Sequence, residues 1–184
     1  MSDHSKTSLP PSFRSLRPDV LSAGAAVWIV GVVQLFACHL VAQIGWDPPY
    51  SWALNNISDL GNVLCGPWGD DRRSVCSPRH AVMNSSFVAT GLLLLVGLVL
   101  LRLGGLALLR SRMVIALFAV AALGWGVAGF FPADVHENVH VVLGAIPIFV
   151  AGNLALVACG IRSPRAGRRN RRRCHGHRSA PRRP

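Results

Sequence analysis

The sequence predicts an all-α membrane protein: four antiparallel transmembrane helices, a short interfacial helix in the first outer loop, and a disordered basic tail. Three observations carry that prediction. The apolar residues, 51% of a 184-residue chain of mean hydropathy +0.40, fall in four long blocks at 20–44, 81–101, 113–131 and 139–161. None of these blocks contains Asp, Glu or Lys. Charged residues make up only 15% of the chain, against about 25% in a typical soluble domain. A bilayer core about 30 Å thick is crossed by roughly 20 residues rising 1.5 Å each, which matches the length of all four blocks. A soluble bundle would need a polar face recurring at helical period, and no block has one.

The domain plan follows in chain order. Residues 1–19 form a cytoplasmic N-terminal segment with Lys6, Arg14 and Arg17, and residues 20–161 form the four-helix transmembrane domain. The first block, at 25 residues, exceeds a signal-peptide core and lacks a small-residue cleavage site, so it reads as a retained signal anchor. The second and third blocks are joined by a short loop with Arg102, Arg110 and Arg112 and no acid. The turn before the fourth carries only Asp134 and Glu137. The large loop at 45–80 holds Asp47, Asp59, Asp70 and Asp71 against Arg72, Arg73 and Arg79. Counting Lys and Arg in these segments puts both termini in the cytoplasm of a multi-pass membrane protein, with 45–80 outside.

Residues 162–184 are expected to be a disordered basic tail, because they offer no Leu, Ile, Val or Phe to bury. The net charge of +11 is mostly theirs: ten of nineteen basic residues lie after Gly160. The body is nearly neutral, which argues against a specific nucleic-acid partner. Two readings of the tail stand: a polybasic segment binding anionic lipid head groups, or the text of a frame-shifted G+C-rich gene. The bilayer is the one partner the composition demands; substrate, partner protein and oligomeric state are not written in it.

The outer loop carries local signals. Asp47-Pro48-Pro49 can start a helix and Gly61 can end it, with Tyr50, Ala53, Leu54, Ile57 and Leu60 on one apolar stripe. Asn55, Ser58 and Asp59 then share the opposite face. Trp46, Tyr50, Trp52 and Trp68 are suited to anchoring the loop at head-group depth. Cys65 and Cys76 flank the turn-rich Gly66-Pro67-Trp68-Gly69-Asp70-Asp71, and a disulfide between them would contribute roughly 2–3 kcal/mol. Cys38 and Cys159 lie within the membrane blocks as packing residues.

Asn55-Asn56-Ile57-Ser58-Asp59-Leu60-Gly61, then residues 76–87, then Phe131-Pro132-Ala133-Asp134-Val135 and His140 give the chain a likeness. It resembles the bacterial domain-of-unknown-function 998 family of small polytopic membrane proteins in its actinobacterial form, over about residues 20–161. Members usually have six spans, so the resemblance implies a chain truncated after four. The resemblance implies a class of membrane protein and no reaction.

The candidate site is a polar cluster at the outer membrane face. His39 and Gln43 end the first span, His80 and Asn84 begin the second, and Asp134, His136, Glu137 and His140 open the fourth. Asn55, Ser58 and Asp59 come from the interfacial helix. Ionisable groups at the membrane edge are costly and usually have a role. One reading is a hydrogen-bonded scaffold, with Asp134 and Glu137 capping the fourth helix and Gln43, Asn84 and Asn153 bonding across helices. Another is a lipid- or small-molecule-binding pocket. A third starts from His136-Glu137-Asn138-Val139-His140, which fits H-E-x-x-H. On a helix its histidines stand one turn apart and can bind zinc, with Glu137 as general base and His80 or Asp59 as a further ligand. Alkaline-ceramidase-type membrane hydrolases resemble this cluster in using several histidines with Ser and Asp around zinc. That likeness makes Ser58, Asp59 and Glu137 the catalytic candidates of the third reading; the first two require no cofactor.

Overall fold

The computed structural model describes residues 16–162, so the basic tail after Arg162 lies outside the described residues. Four helices are each long and apolar enough to cross a membrane: α1 (Pro18–Ala42), α2 (His80–Leu103), α3 (Arg112–Phe130) and α4 (Glu137–Ile161). They begin and end within about two residues of the apolar blocks, because water-to-lipid transfer and helix ends are set by the same charged and turn-forming neighbours. α1 packs on α2, α2 on α3 and α3 on α4, so helices consecutive in sequence are neighbours in space. Large apolar side chains such as Val33, Phe36, Leu92, Val96, Leu123 and Leu156 point outward, as a lipid-facing surface requires.

Two devices join the helices. A Cβ at Gly91 would meet the Ala122 carbonyl oxygen at 2.5 Å, so glycine there permits the α2–α3 approach. Between α1 and α2, Gln34 Nε2 donates to Thr90 Oγ1 at 2.6 Å, and Ser86 Oγ donates to Gln34 Oε1 at 3.0 Å. This mid-membrane knot was not among the residues singled out by sequence. Polar side chains inside a span are readable as costly, but their partners depend on helix rotation.

α4 departs from a regular helix. After an α-turn at Glu137–Val139 it widens into π-helical turns over His140–Ala145 and Pro147–Ala151, then returns to α at Gly152–Arg162. Pro147 brings no N–H and its ring crowds the preceding turn, and wider turns accommodate both. The expected capping of this helix by Asp134 is not found: His136 is the N-cap residue, with no side-chain cap bond, and Asp134 serves the 45–80 loop instead.

That loop is not the helix that periodicity predicted over 48–60. Only a single 3-10 turn, Ile57–Gly61, forms. The Asn55 carboxamide takes the Ser51 N–H at 2.9 Å, and Asn56 is extended (φ −81°, ψ 152°), so the backbone leaves the helical path where side chains compete for its donors. Next comes a hairpin of β1 (Gly66–Trp68) and β2 (Arg73–Val75), paired antiparallel as Gly66↔Val75, Pro67↔Ser74 and Trp68↔Arg73. The expected disulfide Cys65–Cys76 closes its base, with Cα atoms 4.2 Å apart. Trp46, Leu60 and Val75 bury against Leu35, Met83 and Phe87, seating the loop on one end of the bundle.

Candidate functional site

The loop-bearing end is organised around Asp59, whose side chain is wholly buried. A buried carboxylate must be paired and hydrogen-bonded, and this one is both. Arg73, projecting from β2, donates Nε to Asp59 Oδ2 at 2.8 Å and Nη2 to Oδ1 at 2.9 Å. The Asn56 N–H adds a bond to Oδ2 at 2.9 Å, and Asn55 Nδ2 a longer one at 3.4 Å. The third guanidinium arm, Nη1, reaches Asp71 Oδ1 at 2.7 Å. Hydrogen bonding to Asp59 raises the Arg73 pKa further above its usual value, and the Arg73 hydrogen bond holds the Asp71 carboxyl below the usual carboxylate range. The hairpin tip allows this because Gly69 has φ +78°, and a Cβ there would collide with the Arg73 guanidinium.

Beside this ion pair lies an open-mouthed cavity of about 670 Å³, lined by the loop and by α2, α3 and α4. Its helix-borne wall is apolar: Phe87, Trp125, Ala128, Ala145 and Ile148, with the exposed Phe149 at its edge. Its mouth is polar: Asn56, Ser58, Asp70, Arg73, Glu137 and His140. His140 is buried, and its Nδ1 lies 2.8 Å from the Phe131 carbonyl oxygen. A carbonyl only accepts, so Nδ1 carries a proton, and in the neutral imidazole Nε2 is then the acceptor.

The remaining predicted residues are distributed elsewhere. Asp134 Oδ2 accepts from the N–H groups of Val63 at 2.8 Å and Leu64 at 2.7 Å, while Asn84 Nδ2 donates to the Gly61 carbonyl at 2.9 Å. These two fasten the loop to the bundle. His39 is buried and stacks on Trp52 with ring centroids 4.2 Å apart and an interplanar angle of 6°, with Tyr50 edge-on at 5.3 Å. Gln43 Nε2 bonds back to the His39 carbonyl. Burial, and then the charge of Asp59, push the Tyr50 phenol up to about 12. His80 Nδ1 sits 3.1 Å from the Ser77 carbonyl oxygen, and His136 lies against Phe131 at 5.5 Å.

The structure thus brings Asn56, Ser58, Glu137 and His140 to one cavity, with Asp59 and Asn55 supporting it through Arg73. It does not bring His39, His80, His136, Asn84 or Asp134 into that lining. Among the described residues no three His, Cys, Asp or Glu side chains are grouped to hold a metal ion. Arg73, Phe87 and Trp125 carry no signal of the site in the sequence, since each reads as ordinary loop charge or ordinary span residue, and Trp68, expected as a head-group anchor, lines the cavity instead.

The model of a protein family described as "Protein of unknown function (DUF998)" matches residues 29–177. No curated protein and no solved structure matches the chain.

Proposed function

Because the chain belongs to the DUF998 family of proteins of unknown function, its activity must be read from its own site, and we propose that it binds an amphiphile at the extracytoplasmic end of its helical bundle. The observation that carries this reading is the two-sided chemistry of the cavity. Its apolar side is walled by membrane helices, and its polar mouth is made by the loop and the first turns of α4. A volume near 670 Å³ falls within the roughly 300–1,000 Å³ typical of small-molecule sites. An apolar tail gains by contact with Trp125, Ile148 and Phe149, while a polar head stays with Ser58, Glu137 and His140. The excess of Lys and Arg on the opposite side of the chain supports an outward-facing mouth.

Native mass spectrometry of the protein released from lipid nanodiscs tests this. The wild type is expected to carry one amphiphile through gentle activation. Ala145→Phe, which fills the cavity from a half-buried position, is expected to lose it. Equal adducts on both proteins would sink the proposal.

A further inference from the structure

We propose that the head group this cavity selects is a primary ammonium; the inference rests on the cavity's being an amphiphile site, and assigns the chemistry of its mouth. Among the described residues Arg73 is the one arginine or lysine in the cavity lining, and its charge is already spent. Nε and Nη2 serve the two oxygens of Asp59, and Nη1 serves Asp71. One guanidinium between two carboxylates leaves that triad net negative. Asp70 and Glu137 stand at the same mouth, and among the described residues neither forms an ion pair. In its neutral form His140 adds an accepting Nε2, since its Nδ1–H is engaged by the Phe131 carbonyl.

Arg72, exposed on the same hairpin turn, lies outside the lining, and even with it counted Asp59, Asp70, Asp71 and Glu137 outnumber Arg72 and Arg73, so the mouth holds unbalanced negative charge. An anionic head would meet repulsion from Asp70 and Glu137 and find no unengaged cationic donor. A primary ammonium supplies one positive charge and three N–H donors, matching the two carboxylates and the imidazole. The Trp68 indole belongs to the same lining, and an indole ring attracts a cation. A trimethylammonium head keeps the charge but donates nothing, so it ranks below the primary amine.

The test uses the full-length protein in phosphatidylcholine nanodiscs and four probes sharing one tail: dodecylammonium, dodecyltrimethylammonium, dodecyl phosphate and dodecyl maltoside. Occupancy at equal concentration is read by native mass spectrometry. Dodecylammonium is expected to bind about ten-fold tighter than dodecyl phosphate, the order of magnitude for two partly solvated carboxylates. Asp70→Asn combined with Glu137→Gln, both on exposed side chains, should reduce that ratio to about two-fold or less. Four equal affinities would overturn the ammonium assignment while leaving the pocket reading intact, and so would preference for the maltoside or parity of the two ammonium heads. Binding of all four that is unchanged by Ala145→Phe would instead overturn the pocket reading itself.

Discussion

Removing Arg73 tests whether the buried ion pair is what holds the 45–80 loop in place beside the cavity. Arg73→Ala deletes both bonds to Asp59 and leaves a carboxylate of zero exposure with the Asn56 N–H and the long Asn55 contact alone. Breaking a buried pair from one side costs about 3–5 kcal/mol, and the 16% exposure of the Arg73 side chain, which admits water, favours the lower end. About 3 kcal/mol corresponds to roughly a hundred-fold rise in local opening. Hydrogen exchange reads it directly: the Asn56 amide and the hairpin amides should exchange about two orders of magnitude faster. Mid-helix amides of α2 and α3 should be unaffected, and the Cys65–Cys76 bridge keeps the opening local. Asp71→Asn is the internal control, since that side chain is 60% exposed and its loss should change exchange by less than about three-fold. Asp59→Ala added to Arg73→Ala should recover much of the loss by removing the stranded charge. If Arg73→Ala and Asp71→Asn accelerate exchange equally, the ion pair is not what organises the loop.

Three further outcomes are expected. Tyr50 is the single tyrosine of the chain, so its ionisation is legible in ultraviolet absorbance; the midpoint should lie near 12. Because the folded state holds that proton more tightly than the unfolded chain does, the contribution is complete below about pH 10 and disappears as pH rises towards 12, and a midpoint near 10 in folded protein would contradict the burial argument. Gly91→Ala places a methyl against the Ala122 carbonyl oxygen and should cost about 1–3 kcal/mol in unfolding from mixed micelles; an unchanged midpoint would mean the α2–α3 approach is looser than the structure has it. A reporter active only outside the cytoplasm should be active when fused after Gly69 and silent after Leu108, and the opposite pattern would reverse the orientation drawn from the arginines.

The spans were legible because lipid imposes a single demand on a long segment, and an uninterrupted apolar run meets it in few ways. The loop was harder for a physical reason. Tyr50, Ala53, Leu54, Ile57 and Leu60 have helical spacing, yet two asparagines divert the backbone before a second turn can form. The hairpin strands, three residues each, are too short to show an alternating pattern. The polar cluster was legible in depth but not in azimuth: span ends fix how far His39 and His140 lie along the membrane normal. Helix rotation decides that one stacks on Trp52 and the other lines the cavity. Arg73 and Asp59 are 14 residues apart, and nothing in their spacing announces a pair. The cavity itself is invisible in sequence, since Phe87, Trp125 and Phe149 become its walls only through the small residues Ala128 and Ala145 between them.

In the proposed complex an amphiphile's tail lies against Trp125 inside the bundle. Titrating the protein in nanodiscs with dodecylammonium brominated near its terminal carbons measures that contact, because bromine quenches indole fluorescence only at short range. Saturable quenching is expected in the wild type, falling by the share of Trp125 in a Trp125→Phe variant and disappearing in Ala145→Phe. Quenching that rises linearly with probe in all three proteins would mean that the tail meets tryptophan only from the surrounding bilayer, and the binding account would be wrong.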